Sequence, residues 1–200
     1  MIFTRRDLIY SLVTGVTTGF IAWKILDYID VFQPPFSLAW LMVIVPGLWI
    51  FGVNLGYWLG HRLPFFTRFG KFAAVGFTNA AIDFGILYWE IATFGVAIGL
   101  KFSLYKTISF AVAVLHSYFW NKRWTFNATQ SGGGLEEFLK FMGVTLSSLL
   151  VNVVIATLVL NFGVSLGHDP KLWSGLSAIV SGAVALVFSF LGFKMIVFKK

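Results

Sequence analysis

A chain of 200 residues with 58% hydrophobic and only 12% charged residues cannot cover a water-facing surface, because soluble domains carry roughly a quarter charged residues. Its lack of cysteine excludes disulfides, thiolate metal sites and cysteine nucleophiles. In a membrane protein, a net charge of +7 indicates cytoplasmic loops that lie next to anionic lipid. The basic and aromatic pattern of a nucleic-acid-binding module does not occur. The composition therefore predicts a membrane protein without a nucleic-acid partner.

Six apolar runs are long enough to cross a bilayer, for which a helix needs about 20 apolar residues. They cover residues 8–29, 36–60, 71–95, 102–120, 138–162 and 172–193. The first run is too long for a signal peptide, so we expect a retained helix. Pro34 and Pro35 predict a sharp turn between the first two runs. Pro64 separates the second run from the third, and Pro46 predicts a kink in the second helix. The sequence thus predicts an all-α membrane protein with about six transmembrane helices.

Basic residues predict the orientation of these helices. With six spans, most of the 15 lysines and arginines fall on the side that holds both termini. The other side holds Lys24, Lys101, Lys106 and Lys171. By the positive-inside rule both termini are cytoplasmic, and we expect an integral, multi-pass protein of the plasma (inner) membrane. The polar, glycine-rich residues 127–137 predict a flexible cytoplasmic linker between the fourth and fifth spans.

The last four runs contain an internal repeat. Residues 71–75 (KFAAV) resemble residues 140–144 (KFMGV). In the same register Asn79 corresponds to Ser148 and Asp83 to Asn152. After a three-residue shift, the pairs are Ser117 with Ser189, Lys122 with Lys194 and Phe126 with Phe198. Each copy is a hairpin that starts on the same side, which predicts a parallel repeat, and such repeats often bind ligands where the copies meet. The first hairpin, residues 8–60, has no counterpart and is predicted to be appended.

Polar residues inside the spans need a reason, because the bilayer makes them costly. Asn79 and Asp83 are four residues apart and so share one helix face. They can form a polar pocket for a cationic or hydroxyl-rich group, or Asp83 can pair with a nearby Lys or Arg and fix helix packing. Asn152, with Ser148 four residues before it, repeats the spacing of Asn79 and Asp83 without a charged residue. This favours a hydrogen bond between helices. The side chain of Lys106, inside the fourth run, either extends to the membrane interface or forms an ion pair. For such an ion pair we expect Glu90 as the partner.

Basic and aromatic residues alternate at the end of the fourth run, in HSYFWNKRWTF (116–126). Ser117 and Asn121 share a face there. Lys122 and Arg123 lie at the predicted cytoplasmic interface, where they can anchor the helix by reaching lipid headgroups. They can also form a phosphate site, because arginine forks and lysine charges bind phosphate oxygens. Two further basic residues on the same membrane side could join such a site: Arg68 and Lys71.

Sequence patterns of soluble enzymes are missing. No nucleophile elbow, phosphate-binding P-loop or metal-binding triad occurs, and the three histidines lie far apart. The chain also has no room for the soluble nucleotide-binding fold of a self-contained glycosyltransferase. We therefore expect a protein that is not an enzyme and that needs no cofactor.

Residues 68–199 resemble the GtrA-like family, which also supplies the membrane domain of some dolichol-phosphate mannose synthases. The resemblance is carried by FAAVGFTN (72–79), with Asp83 four residues later, and by NKRWTF (121–126) ahead of a second hairpin. It implies a bundle of four spans made of two tandem hairpins, preceded here by an extra N-terminal hairpin, residues 1–62. The chain departs from the family at Ser117, where Asn is frequent.

The resemblance implies a role with polyprenyl-phosphate-linked sugars in the synthesis of cell-surface polysaccharides. On this basis we favour translocation, or flipping, of a polyprenyl-phosphate-linked monosaccharide or of the carrier phosphate. The phosphate is then expected to be bound by basic residues near the cytoplasmic face: Lys122, Arg123, Arg68 and Lys71. Sugar hydroxyls are expected to follow a polar path through the spans: Asn79, Asp83, Ser117, Asn121 and Asn152.

The alternative is a membrane scaffold that transports nothing. Because the family's membrane domain is fused to synthases, such a scaffold would recruit a glycosyltransferase to its polyprenyl-phosphate acceptor. The expected partners are therefore a polyprenyl-phosphate lipid or lipid-linked sugar and, in the alternative, a glycosyltransferase. A homo-oligomer stays open as well, since a 22.3 kDa bundle is small.

Overall fold

The computed structural model of the protein describes residues 2–30, 37–95, 98–129, 133–167 and 169–199, without the side chains of Pro170 and Lys171. These ranges contain helices and no strand, which confirms the predicted all-α class. Within them the α-helices are α1 (Arg5–Ile29), α2 (Leu41–Gly60), α3 (Phe65–Phe94), α4 (Leu100–Trp120), α5 (Leu135–Ser165) and α6 (Pro170–Gly192). A short 3₁₀ helix (Leu38–Trp40) precedes α2. Two π-helical segments, π1 (Asn121–Thr125) and π2 (Phe193–Val197), continue α4 and α6.

Among the described residues, five helical segments are long and apolar enough to cross a membrane. They are α1, the segment Leu38–Gly60, α3, α5 and the segment Leu172–Val197. The remaining helix, α4, has 21 residues, which is a sufficient length, but Lys101, Lys106 and His116 make it less apolar. Because α4 packs along α3 as the second arm of a hairpin, we count it with the spans. The predicted bundle of about six helices is confirmed.

Prolines and glycines set several helix ends. Pro64 is the N-cap of α3, which begins before the predicted residue 71 because Arg68 interrupts the apolar run without interrupting the helix. Gly95 has a φ of 83° and Gly99 a φ of 59°. These positive values favour glycine, which has no Cβ, and the two glycines are the C-cap of α3 and the N-cap of α4.

Two predicted loops are described in part or not at all. The predicted turn at Pro34 and Pro35 lies outside the described residues. Of the predicted linker, residues 127–137, the positions 130–132 also lie outside them. The last part of that linker is helical, because α5 begins there and buries Glu137 in its first turn.

The chain divides into two compact units, Met1–Asn127 and Ala128–Lys200. The first unit contains α1 to α4 with π1, and the second contains α5, α6 and π2. The N-terminal hairpin, predicted as an appended domain of residues 1–62, therefore shares a unit with the hairpin of α3 and α4. The reason is that α1 packs against both α2 and α3.

Small and polar residues hold α1 against its two neighbours. A Cβ added at Gly15 would lie 2.5 Å from the Cα of Pro46 in α2, so only glycine allows this approach. The hydroxyls of Thr18 in α1 and Thr78 in α3 are 3.0 Å apart and hydrogen-bonded. The indole N–H of Trp49 in α2 also donates to the Thr78 hydroxyl, over 3.3 Å. Thr78 thus links three helices of the first unit.

Each unit contains the same aromatic arrangement. In the first, the rings of Phe72 and Phe126 lie 6.5 Å apart, and in the second those of Phe141 and Phe198 lie 6.3 Å apart. The N–H groups of Phe126 and Phe198 each bond to the carbonyl five residues earlier, over 2.9 and 2.8 Å, which is the π-helical pattern. These positions correspond in the register of the sequence repeat, so each hairpin ends in the same way.

The contact at Gly15 gives a stability prediction. In Gly15→Ala the new methyl group meets backbone that cannot move aside, and overpacking of this kind costs about 1–3 kcal/mol. The matched control is Gly47→Ala on α2, whose Cβ meets nothing within 4 Å. We expect this control to be neutral or to gain about 0.5–1 kcal/mol from the higher helix propensity of alanine. The measurement is thermal unfolding of each variant in detergent, and equal melting temperatures would contradict the close approach.

Candidate functional site

The candidate site lies at the end of the first unit where α1 and α3 begin and where α2 and α4 end. Asp7, in the first turn of α1, forms a capping box with Thr4. The backbone N–H of Asp7 donates to the Thr4 hydroxyl, and the Thr4 backbone N–H donates to the Asp7 carboxylate over 3.1 Å. This cap fixes the start of α1 and the position of the carboxylate.

The same carboxylate collects partners from three other elements. Tyr57 near the end of α2 donates its hydroxyl over 2.8 Å, and Trp124 in π1 donates its indole N–H over 2.9 Å. The Nζ of Lys71 in α3 lies 2.6 Å away. Asp7 is only 3% exposed, and a buried charge is tolerated only where it is paired and hydrogen-bonded. Asp7 therefore ties together α1, α2, α3 and π1, a cluster we call the Asp7 hub.

Lys71 has a different setting from the one predicted. The sequence suggested that Lys71 would join a phosphate site, whereas its side chain is 13% exposed and its charge is neutralised by Asp7. The ammonium also lies 5.0 Å from the centroid of the Tyr57 ring. Because Asp7 is far from Lys71 in sequence, no local pattern indicates this ion pair. The Thr4-x-x-Asp7 spacing, a capping signal, is the only sequence sign of the hub.

The side chains of π1 differ in their exposure to the surface. Asn121 and Trp124 are buried, Lys122 is half-buried and Arg123 is exposed. π-helical segments are rare and frequently occur at functional sites. Here the segment lets Trp124 reach the Asp7 hub while Arg123 stays on the surface. The hydrogen bond from Trp124 to Asp7 therefore positions the neighbouring residues Lys122 and Arg123, the predicted phosphate ligands, at this end of the first unit.

The exposed cations at this end are held by aromatic and backbone contacts. The Arg123 guanidinium lies 5.8 Å from the centroid of the Phe119 ring. Arg6 donates one N–H to the backbone carbonyl of Arg123 and another to Asn127 Oδ1 over 3.2 Å. Its guanidinium lies 5.2 Å from the centroid of the Tyr10 ring. The structure therefore brings Arg6 beside Arg123, a neighbour that the sequence analysis did not identify.

Ser117 near the end of α4 and Asn121 at the start of π1 contact each other, as their spacing predicts. The Asn121 side-chain amide donates to the Ser117 carbonyl over 2.9 Å and to its hydroxyl over 3.2 Å. Asn121 is 1% exposed, and its Oδ1 has no hydrogen-bond partner among the described residues. Lys122 also contacts α4, since its Nζ lies 3.3 Å from the Tyr118 hydroxyl.

Asp83 forms an ion pair between α3 and α4. Its Oδ2 lies 2.5 Å from Lys106 Nζ, and its Oδ1 accepts a hydrogen bond of 2.7 Å from the Ser109 hydroxyl. The expected pairing of Lys106 with Glu90 is wrong, because Asp83 lies nearer the level of Lys106 along the antiparallel helix pair. Asn79, one turn before Asp83, is half-buried, and its Oδ1 has no partner among the described residues.

Arg68 and Asn152 are the two remaining predicted residues. Arg68 is half-buried in the first turns of α3, at the same end of the unit as the Asp7 hub. Asn152 is half-buried on α5 in the second unit. In that unit Ser148 donates to the carbonyl of Ala185 over 2.9 Å and so links α5 to α6.

Comparison with known proteins agrees with this architecture. The sequence profile of the family described as GtrA/DPMS, transmembrane domain, matches residues 71–198. The chain is 27% identical over 129 residues to the uncharacterized membrane protein YngA of Bacillus subtilis, across 64% of this chain and 78% of that protein. It is 28% identical over 97 residues to the dolichol-phosphate mannosyltransferase of Pyrococcus furiosus, across 48% of this chain and 26% of that protein. Together with the apolar helices, these matches indicate an integral, multi-pass membrane protein.

The Asp7 hub gives a second prediction on stability. Asp7→Ala leaves the Lys71 ammonium, the Tyr57 hydroxyl and the Trp124 indole without their acceptor. Removing one partner of a buried ion pair costs about 3–5 kcal/mol. The control is Asp27→Ala, which removes an exposed carboxylate at the other end of the same helix. We expect thermal unfolding in detergent to show a large loss for the first variant and almost none for the second, and similar losses would contradict the hub.

The ion pair of Asp83 and Lys106 gives a third prediction. Either single variant, Asp83→Asn or Lys106→Met, leaves one charge uncompensated, which we expect to cost about 1–3 kcal/mol. The double variant removes both charges and should recover most of that loss. Unfolding of the four proteins forms a double-mutant cycle. A double variant whose loss equals the sum of the single losses would show that the two side chains do not interact.

Proposed function

Since the chain belongs to the GtrA/DPMS transmembrane-domain family, which is linked to glycan synthesis, we propose that it flips a polyprenyl-phosphate-linked monosaccharide, or the bare carrier phosphate, across the membrane. The observation that carries this proposal is the cationic surface of Arg6, Lys122 and Arg123 at one end of the first unit. A dianionic or monoanionic phosphate is the ligand class that such a surface suits. Under the positive-inside rule this end is cytoplasmic.

The proposed phosphate site uses arginines that are already positioned. Arg6 is fixed by its bonds to the Arg123 carbonyl and to Asn127, and both guanidiniums lie near aromatic rings. Preorganised arginine forks lose less entropy when they bind phosphate oxygens. Phe119, next to the site, is 51% exposed and offers an apolar surface to the first isoprene units. The phosphate can therefore bind at the interface while the prenyl chain stays in lipid.

Lys71 is left out of this proposed site, because Asp7 already neutralises its charge. Arg68 remains a candidate, since it lies at the same end of α3. The proposed polar path for the sugar begins with Ser117 and Asn121 and continues with Asn79 and Asp83. Asn79 and Asn121 each have an amide oxygen that lacks a partner among the described residues and can accept a hydrogen bond from a sugar hydroxyl.

A scaffold is the second candidate function. Its support is the similarity to the dolichol-phosphate mannosyltransferase, in which the matched region is 26% of a longer enzyme. A separate chain of this kind could hold a glycosyltransferase beside its lipid acceptor without moving the lipid. The cationic surface would then bind the same phosphate but only present it.

The test is lipid movement in proteoliposomes that contain a labelled polyprenyl-phosphate monosaccharide. We expect wild-type protein to make the label accessible from both sides. In Lys122→Ala/Arg123→Ala the rate should fall about 10-fold or more, because each charge-assisted hydrogen bond contributes about 1.5–3 kcal/mol. Lys194→Ala is the matched control, since Lys194 is exposed at the corresponding position of π2, and it should keep the wild-type rate.

Full activity of the double variant would refute the phosphate site. If correctly inserted wild-type protein moves neither sugar-linked lipid nor carrier phosphate, the flippase proposal fails. Co-purification of a glycosyltransferase with such inactive protein would favour the scaffold.

A further inference from the structure

The exposed side of α2 carries a polar side chain inside the membrane span. Asn54 is exposed within the apolar segment Leu38–Gly60. Its side-chain amide donates a hydrogen bond of 2.8 Å to the carbonyl of Ile50, one turn earlier in the same helix. The amide makes no further hydrogen bond with the described residues, so its oxygen and one N–H are left over. Polar groups in hydrocarbon are costly unless they are hydrogen-bonded.

Two exposed tryptophans of the same segment show how deep Asn54 lies. Trp40 and Trp58 are 18 residues apart, which is about 27 Å along a helix axis and close to the thickness of about 30 Å of a bilayer core. Tryptophan is enriched at both membrane interfaces. Asn54 lies four residues inside Trp58, about 6 Å deeper. Its side chain is too short to reach the headgroups, so it lies among lipid tails.

The exposed residues around Asn54 follow the spacing of a helix that packs against a parallel helix. Phe51 lies three residues before Asn54, Trp58 lies four residues after it, and Ile44 lies seven before Phe51. All four side chains are exposed. This pattern of three and four residues is the seam of a coiled coil, and most helices in membranes pack with similar crossing angles. We call these four residues the α2 seam.

The described helices leave the α2 seam uncovered. Within its unit α2 packs against α1 and α3. It does so with another side, which buries Val53 and Tyr57. Neither buried residue belongs to the α2 seam.

The chemistry of Asn54 indicates what covers the α2 seam. A carboxamide contains both a donor and an acceptor, so it can pair with an identical carboxamide. Two copies of one chain insert in the same orientation, which places both Asn54 side chains at the same depth. A two-fold axis along the membrane normal then brings the same surface of each copy together. Lipid tails offer neither donor nor acceptor.

We propose that two copies of the chain associate in the membrane through the α2 seam, with the Asn54 side chains of the two copies bonded to each other. Each Oδ1 accepts the remaining N–H of the other copy, which gives two equivalent hydrogen bonds. Phe51 and Trp58 pack against the facing helix on either side of this pair. A polar residue in such a seam also fixes the register and the number of helices.

Association can be measured with full-length protein in liposomes, as energy transfer between donor-labelled and acceptor-labelled copies. We expect transfer to rise with the protein-to-lipid ratio. In Asn54→Leu the ratio at half-association should be about 10-fold higher, because two hydrogen bonds between helices are lost while the apolar contacts remain. Asn54→Gln retains a carboxamide and should keep most of the association. The control is Asn161→Leu, which removes an exposed carboxamide of α5, and it should match the wild type.

Cysteine crosslinking locates the interface independently, because the chain contains no cysteine of its own. Phe51→Cys retains Asn54 and places a thiol in the α2 seam. Two thiols form a disulfide only where their Cα atoms lie within about 7 Å. We therefore expect oxidation in the membrane to give a covalent dimer of Phe51→Cys. The control is Val112→Cys on α4, exposed at a similar distance from its helix end, and it should stay monomeric.

Each outcome decides the proposal without reference to lipid transport, so it stands or falls separately from the proposed function. Wild-type protein that shows no transfer beyond random encounters at any protein-to-lipid ratio would overturn the dimer. Association that Asn54→Leu leaves unchanged would overturn the role of Asn54. Equal crosslinking of Phe51→Cys and Val112→Cys, or none of either, would overturn the α2 seam as the interface.

Discussion

One buried carboxylate holds the first unit together. Asp7 must be compensated because it has almost no contact with solvent, and its partners come from α2, α3 and π1. These contacts explain three further features of the first unit. The N-terminal hairpin packs as part of the first unit, Asp7 neutralises the charge of Lys71, and Trp124 anchors π1 while Arg123 stays on the surface. Arg6, the residue next to Asp7, is carried to the same surface by the same helix turn.

The two hairpins of the family domain share a form but differ in charge. Both end in a π-helix closed by a buried phenylalanine, Phe126 in one and Phe198 in the other. At the position of Arg123 the second hairpin has Met195, and in place of Trp124 it has Ile196. The first unit therefore holds both the tryptophan that reaches Asp7 and the arginine offered to phosphate. An internal repeat has thus kept its backbone pattern while one copy carries the proposed binding residues.

The sequence predicts the helices well because the bilayer imposes a length of apolar chain, and it predicts the family from FAAVGFTN and NKRWTF. Which charged residues form ion pairs with each other is harder to predict from the sequence. Asp7 precedes the first apolar run and reads as a flanking charge, whereas its main partner, Lys71, is distant in sequence and reads as an interfacial cation. Lys106 could face either Asp83 or Glu90 within the uncertainty of a predicted helix register. Only the packing of α3 against α4 decides for Asp83, and the Oε2 atom of Glu90 has no hydrogen-bond partner among the described residues.

The proposed function depends most directly on recognition of a lipid phosphate by the cationic surface of Arg6, Lys122 and Arg123. Native mass spectrometry of the purified protein can compare a polyprenyl phosphate with a polyprenol of the same chain length. Both ligands offer the same apolar area, so any difference reports the phosphate. We predict that the polyprenyl phosphate stays bound while the alcohol is lost, and that Arg6→Ala/Arg123→Ala removes the difference. Equal retention of both lipids by the wild-type protein would contradict the account.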